Sequence, residues 1–394
     1  MTYDERDFVS AEKYAIAIMS MNDLYSANKE PTGDMVADET FSPPPLVPVP
    51  AERLGSWPEI RTLLREVYAG YARGGDEIRA CYMREQVLSV LALGQWVFQR
   101  GDAPYTQNVA DFLRADPTPV TGPEMEADRR ALSALLSDRG CRGTLPEQFR
   151  AWQDETLVLP EDLAAAVKAL MDEARERALD IGLGAIRDTE AEAVIVHDVP
   201  YQGYCDFDRR RIYLNGDLRY TRQTLKRLIC HETYPGHMAH MQTRAALLAE
   251  GRIPLDAAFV VVNTASSPVF EGLADNSSDF IGWNETADDR INTLYEDIRE
   301  KAGLTASYLL HEEKRSRDEV VSYLRDAAFA DESWALARLH LMNYPLRQTF
   351  LPAYWRGSEA VRATWRKTEK HRAAAFIRYL YENMHSISTI RKFS

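Results

Sequence analysis

His231-Glu232-Thr233-Tyr234-Pro235-Gly236-His237-Met238-Ala239-His240 sets three imidazoles and a carboxylate around a Pro-Gly step. It follows an apolar run, Leu225, Leu228, Ile229 and Cys230, that reads as helix. A His-Glu pair followed shortly by another His lets a helix offer two ligands to a metal and a base to a water. In the usual pattern the two His stand four apart, on one helix face. His231 and His237 are six apart. At about 100° per residue, a continuous helix would point them to different sides. Both can bind one metal only if the helix is interrupted between them, and Pro235 and Gly236 sit there. Proline removes a helical N–H and clashes with the preceding turn; glycine tolerates the unusual dihedrals that follow.

Downstream lies Pro268-Val269-Phe270-Glu271-Gly272-Leu273-Ala274-Asp275. Glu271 and Asp275 are four apart, hence on one helix face. Glu271 would complete a His-His-Glu set with His231 and His237. Asp275 would accept a hydrogen bond from the non-ligating nitrogen of one His and fix its tautomer. Three protein ligands leave the fourth position of a zinc ion open to water, whose pKa falls to roughly 7 when bound. Glu232 would take a proton from water and hand it to a leaving nitrogen. His240, on the same face as His237, either replaces His231 as a ligand or supports the site. The supporting role is favoured, because Glu232 is placed as base only if His231 binds the metal. Cys230 reads as a soft ligand or, more simply, as a small buried apolar residue. Manganese, cobalt or iron would also suit such a donor set.

These residues carry a family resemblance. Leu228 to His237 resembles the His-Glu-x-x-Pro-Gly-His-His signature of the DUF885 family. Phe270-Glu271-Gly272-Leu273-Ala274 resembles that family's Glu-Gly-Trp-Ala segment, and Ile212-Tyr213-Leu214-Asn215 its strand ending in Asn. Tyr354-Trp355-Arg356-Gly357 is similar to its C-terminal Tyr-x-x-Gly. The matches occur in family order over roughly residues 190–360. Met238 and Leu273 depart from the pattern. The resemblance implies a largely helical, zincin-like metal-dependent peptidase, related to the carboxypeptidase Taq type. It implies His231, His237 and Glu271 as ligands and Glu232 as base; Asn215, at the end of the similar strand, is a substrate-binding candidate. It also points to Tyr354 as the donor to a developing oxyanion, a role a neutral phenol can fill; Tyr344 and His340 are the alternatives. Arg347 and Arg356 could pair a substrate carboxylate bidentately.

The chain has 394 residues, 45% of them hydrophobic and 27% charged, as in soluble globular proteins with a sizeable core. A net charge of −13 argues against a nucleic-acid or anionic-membrane binder, which needs clustered Lys and Arg. Met1-Thr2-Tyr3-Asp4-Glu5-Arg6-Asp7 lacks a basic region followed by an apolar one, and no run of about eighteen apolar residues occurs. Four scattered cysteines suggest reduced thiols. A cytoplasmic location is therefore expected. Phosphate loops, dinucleotide fingerprints and a Gly-x-Ser-x-Gly elbow are lacking.

The periodicity predicts helices over 8–28, from 57 to about 113, and over 123–138, 145–155 and 160–182. Core candidates in the second stretch are Ile60, Leu63, Leu64, Val67, Tyr68, Met83, Val87, Val90, Leu91, Trp96 and Val97. Residues 29–50, with Ser42-Pro43-Pro44-Pro45, read as an extended surface connection. Strands are expected at 192–197 and 211–215, around turns at 201–203 and 206–208. Helices follow at 221–249, 268–281, 286–312, 316–328, 331–343, 345–355 and 358–384.

The expected fold is mainly α, a multi-helical zincin-like metallohydrolase with a small β-element beside the metal helix. An N-terminal helical region, 1–185, would precede a metal-binding catalytic region, 186–394. The expected reaction is cleavage of an amide or peptide bond in a short peptide, with one zinc ion per chain. Two alternatives are a small-molecule amidohydrolase of a specialised pathway and a non-catalytic metal-stabilised binding module.

Overall fold

The computed structural model describes residues 3–30, 38–43, 45, 47–71, 76–199 and 201–394. Parts of the expected 29–50 connection and residues 72–75 of the expected 57–113 stretch lie outside them. The described residues are 65% helix and 4% strand, so the mainly α expectation holds.

In chain order the helices are α1 (Glu5–Ser26), α2 (Trp57–Tyr71), α3 (Glu77–Gln99), α4 (Tyr105–Leu113), α5 (Gly122–Asp138), α6 (Leu145–Thr156) and α7 (Leu163–Asp180). Strands β1 (Glu192–Val196), β2 (Gly203–Asp206) and β3 (Arg211–Asn215) follow. Then come α8 (Arg222–Glu232), α9 (His237–Ala249), α10 (Ser267–Asp275), α11 (Ser277–Phe280), α12 (Ala287–His311), α13 (Arg317–Ala328), α14 (Glu332–Met342), α15 (Leu351–Lys367), α16 (Ala373–Tyr381) and α17 (Ile387–Ile390). Several starts are written in the sequence. Asp4 and Asp7, Thr286 and Asp289, and Ser316 and Glu319 form reciprocal capping boxes that satisfy the first N–H groups of α1, α12 and α13.

The chain divides into two compact units, both discontinuous in sequence. The first comprises Met1–Pro117, His240–Leu273 and Leu341–Ser394; the second comprises Thr118–Ala239 and Ala274–His340. The boundary expected near residue 185 falls inside the second unit.

In the first unit α1, α2 and α3 share one core. Tyr14, Ile18 and Met21 pack with Ile60, Leu64 and Val67 and with Met83, Val87 and Val90. Each such side chain stabilises by roughly 1.5–3 kcal/mol when fully buried. The other core candidates, Leu63, Tyr68, Leu91, Trp96 and Val97, are half-buried against this cluster.

In the second unit α7 packs on α8, and α12 on α5 and α13. The sheet has the order β1-β3-β2. β3 pairs in parallel with β1, from Glu192 opposite Arg211 to Val196 opposite Asn215, and antiparallel with β2, from Gly203 opposite Leu214 to Asp206 opposite Arg211. β2 lies between the two expected turns and takes Gly203 from one and Asp206 from the other. Its glycine and aspartate disfavour strand, but pairing with β3 outweighs that preference.

The break expected between 355 and 358 is absent, because α15 runs straight through Gly357. A Cβ on Gly357 would lie 1.6 Å from the carbonyl oxygen of Pro268, and one on Gly272 would lie 2.3 Å from the carbonyl of Gly357. The two glycines therefore let α10 and α15 touch backbone to backbone. Gly357→Ala must prise these helices apart and is expected to cost roughly 3 kcal/mol. Gly55→Ala, where an added methyl meets nothing within 4 Å, should stay within about 0.5 kcal/mol of wild type. Urea unfolding of both variants checks this, and equal midpoints would remove the close-contact account.

Candidate metal centre

α8 ends at Glu232 and α9 starts at His237. Thr233 leaves the helix at φ −114°, ψ −94°, although its N–H still donates to the Ile229 carbonyl. Gly236 N–H donates to the Cys230 carbonyl at 2.8 Å, and Ala239 N–H to the Thr233 carbonyl at 3.1 Å. The Tyr234–Pro235 peptide is cis. These bonds fold residues 233–236 back over the end of α8. A Cβ at Gly236 would lie 1.9 Å from the His231 carbonyl oxygen and 2.3 Å from that of Cys230, so only glycine fits. The interruption brings the His231 and His237 rings to 4.6 Å, nearly perpendicular at 83°.

Glu271 joins them. One ligand atom from each of His231, His237 and Glu271 lies within 4.8 Å of the other two. The position of Glu271 follows from its helix. α10 is continuous from Ser267 to Asp275, so Glu271 stands one turn from Asp275 on the same face. His231 Nδ1 is 2.9 Å from Asp275 Oδ1. With Nδ1 donating to that carboxylate, Nε2 is left as the ligand atom. Arg227 Nη2 donates to Asp275 at 2.8 Å and to Glu300 at 2.6 Å. The carboxylate that orients His231 is thus itself fixed.

The donor set fits a divalent cation. His231, His237 and Glu271 are 9%, 5% and 8% exposed. A carboxylate this far from water is costly without compensating charge. Two imidazoles and one carboxylate make a three-ligand zinc set with a fourth position open.

The residues around the cluster take distinct roles. Glu232, at the end of α8, is half-buried. Burial pushes the Cys205 thiol up, and the Glu232 carboxylate pushes it further, which sets Glu232 beside β2. Phe207, just after β2, meets the His237 ring edge-on at 6.5 Å. His240 is outside the ligand group; its ring packs on Phe270 and Tyr381, each at 5.7 Å. Cys230 is outside it too, and burial raises its thiol to about 12, so the apolar reading fits it better than a soft ligand.

Each of the three substrate candidates is bonded within the chain. Asn215 Nδ2 donates to the Val199 carbonyl at 3.0 Å, and its Oδ1 accepts from Asp217 N–H at 2.9 Å. Asn215 therefore shapes the turn after β3 instead of facing a substrate. Arg356 donates to the Asp116 carbonyl at 3.2 Å and pairs with the Asp116 carboxylate at 3.4 Å. Arg347 grips Glu39 with two nitrogens. Tyr354 lies on α15 one turn before Gly357, edge-on to Phe350 at 5.4 Å. Sequence reasoning missed Arg227, Phe207 and Glu39. Only Arg227 left a signal, standing one helical turn before His231.

No family model matches the chain, and no curated protein matches it. Two solved structures resemble its fold. One is described as a putative lipoprotein from Colwellia psychrerythraea, with a TM-score of 0.54 and 16% identity over 86% of this chain. This chain spans only 63% of that protein's length. The other is described as a putative lipoprotein of unknown function from Shewanella oneidensis, with a TM-score of 0.53 and 13% identity, covering 85% of this chain and 70% of that one. At such identities the likeness concerns fold alone. Among the described residues no helix is long and apolar enough to cross a membrane.

Proposed function

We propose that this chain is a metal-dependent hydrolase that cleaves an amide or peptide bond, with a zincin-like site of the DUF885 kind and a short peptide as substrate. The observation that carries the reading is the gathering of His231, His237 and Glu271 ligand atoms within 4.8 Å, with Asp275 on the far nitrogen of His231. A purely structural site has no use for a further carboxylate beside its ligands, and Glu232 is adjacent to His231 in sequence. A zinc ion held there would polarise a carbonyl and acidify water.

The chain's own groups do the rest. Asp275 keeps the His231 proton on Nδ1 and so keeps Nε2 available. Glu232 accepts a proton from the attacking water and returns it to the leaving nitrogen, which lets the amine depart uncharged. Tyr354 donates its phenolic O–H to oxygen as charge develops. Phe207 and the buried setting of the two His limit water around the reacting bond.

The test is elemental analysis of the protein purified without chelators, beside His231→Ala. About one zinc per chain, lost in the variant, is the expected result. Protein that carries no stoichiometric metal and takes up none on adding zinc would overturn the reading.

A further inference from the structure

We propose that the guanidinium of Arg347 is a recognition fork for a substrate carboxylate, and that Glu39 of the connection before α2 occupies it when substrate is absent. This deepens the hydrolase reading and rests on it. Arg347 Nε donates to Glu39 Oε2 at 2.7 Å, and Nη2 donates to Oε1. This is the parallel two-bond geometry with which arginine reads any carboxylate.

The fork is prepared before anything binds. The Arg347 guanidinium lies 4.2 Å over the Phe350 ring, and Phe350 meets Tyr354 edge-on. Gly357, one turn after Tyr354, touches the backbone of α10 beside Gly272, the residue after Glu271. That contact sets the Tyr354 turn of α15 against the Glu271 turn of α10. Burial works against the Arg347 cation; the Glu39 carboxylate, then Tyr354 and Glu271, outweigh it and hold its pKa above the ordinary arginine value. A carboxylate on Arg347 would therefore belong to a substrate whose reacting bond lies near Glu271.

Glu39 is not needed to fasten its own segment. Phe41 is fully buried, and its carbonyl accepts from Val262 N–H at 2.8 Å. Asn22 grips Ser42 through both its amide groups, donating to the carbonyl at 2.9 Å and accepting from the N–H at 3.1 Å. The connection is thus held two residues away, and the Glu39 side chain can be exchanged without releasing it. Arg347 and Glu39 are each 19% exposed, so the pair is reachable from solvent. The class of substrate is a peptide with a free carboxylate close to the cleaved bond, either at its C-terminus or on an acidic side chain.

Calorimetric titration of the zinc-loaded full chain tests this. Three probes serve: N-acetyl-alanyl-alanine, its C-terminal amide, and N-acetyl-alanyl-glutamate with its α-carboxyl amidated. Wild type should prefer at least one acid over the plain amide. Glu39→Gln should tighten that acid about tenfold and leave the amide unchanged. Arg347→Gln should erase the acid preference, and Arg347→Lys should restore it only in part. The probe that gains in Glu39→Gln tells a C-terminal carboxylate from a side-chain one. Equal binding of acids and amide in wild type and in Glu39→Gln would overturn the proposal, even if Arg347→Gln does not fold. Acid preference through Arg347 with no cleavage of any probe would support the fork and count against the hydrolase; cleavage without acid preference would do the reverse.

Discussion

Glu232→Gln is expected to lower turnover of any peptide or amide substrate by about a thousandfold, within the range a positioned base contributes. Glutamine keeps the shape of the side chain and its half-buried place beside Cys205. It cannot accept the proton that water must lose. Glu232 is outside the ligand group of His231, His237 and Glu271, so the variant should retain about one zinc per chain. Steady-state kinetics and elemental analysis of one preparation separate the two roles. Activity within threefold of wild type would remove Glu232 as base. Loss of zinc together with activity would make it a ligand.

Gly236→Ala is expected to abolish metal binding and to destabilise the second unit by roughly 3 kcal/mol or more. The cause is geometric. The new methyl would sit 1.9 Å from one carbonyl oxygen and 2.3 Å from another, both belonging to the last turn of α8. Backbone atoms cannot rotate aside as a flexible side chain can. Residues 233–236 would have to lift off that turn and break the bond from Gly236 N–H to the Cys230 carbonyl. His237 would then move away from His231. The measurements are zinc stoichiometry and the urea midpoint; wild-type values for both would show that the return of the chain does not depend on this contact.

Much of the site could be read from the chain because its geometry is local. Six residues between two His, with Pro and Gly in the gap, demand an interrupted helix, and α8 and α9 supply one. Glu271 and Asp275 are joined by a single helical turn, so spacing alone put them on one face. Where placement depends on distant partners, spacing was silent. β2 contains a glycine and an aspartate and forms because β3 lies beside it. Gly357 looks like a helix breaker, yet serves as a contact point whose partner, Pro268, is far away in sequence. Asn215 and Arg356 are residue types suited to binding substrate; a turn backbone and Asp116 claim them. Nothing near Arg347 in the sequence announces Glu39.

The first unit is made of three stretches separated by the segments that build the second. Tyr3 donates its hydroxyl proton to Asn383, 380 positions away, and Ser386 and Ser388 bond Glu85 of α3. During synthesis, α1 to α3 therefore leave the ribosome long before α16 and α17 exist to cover them. Closing such long loops is slow, since chain entropy must be spent before the distant contacts form. In the interval the apolar faces of α1, α2 and α3 have mainly one another for shelter. That gives a physical reason for their shared core to be dense enough to form first, and it leaves the nascent N-terminal quarter with apolar surface to protect from aggregation in that interval.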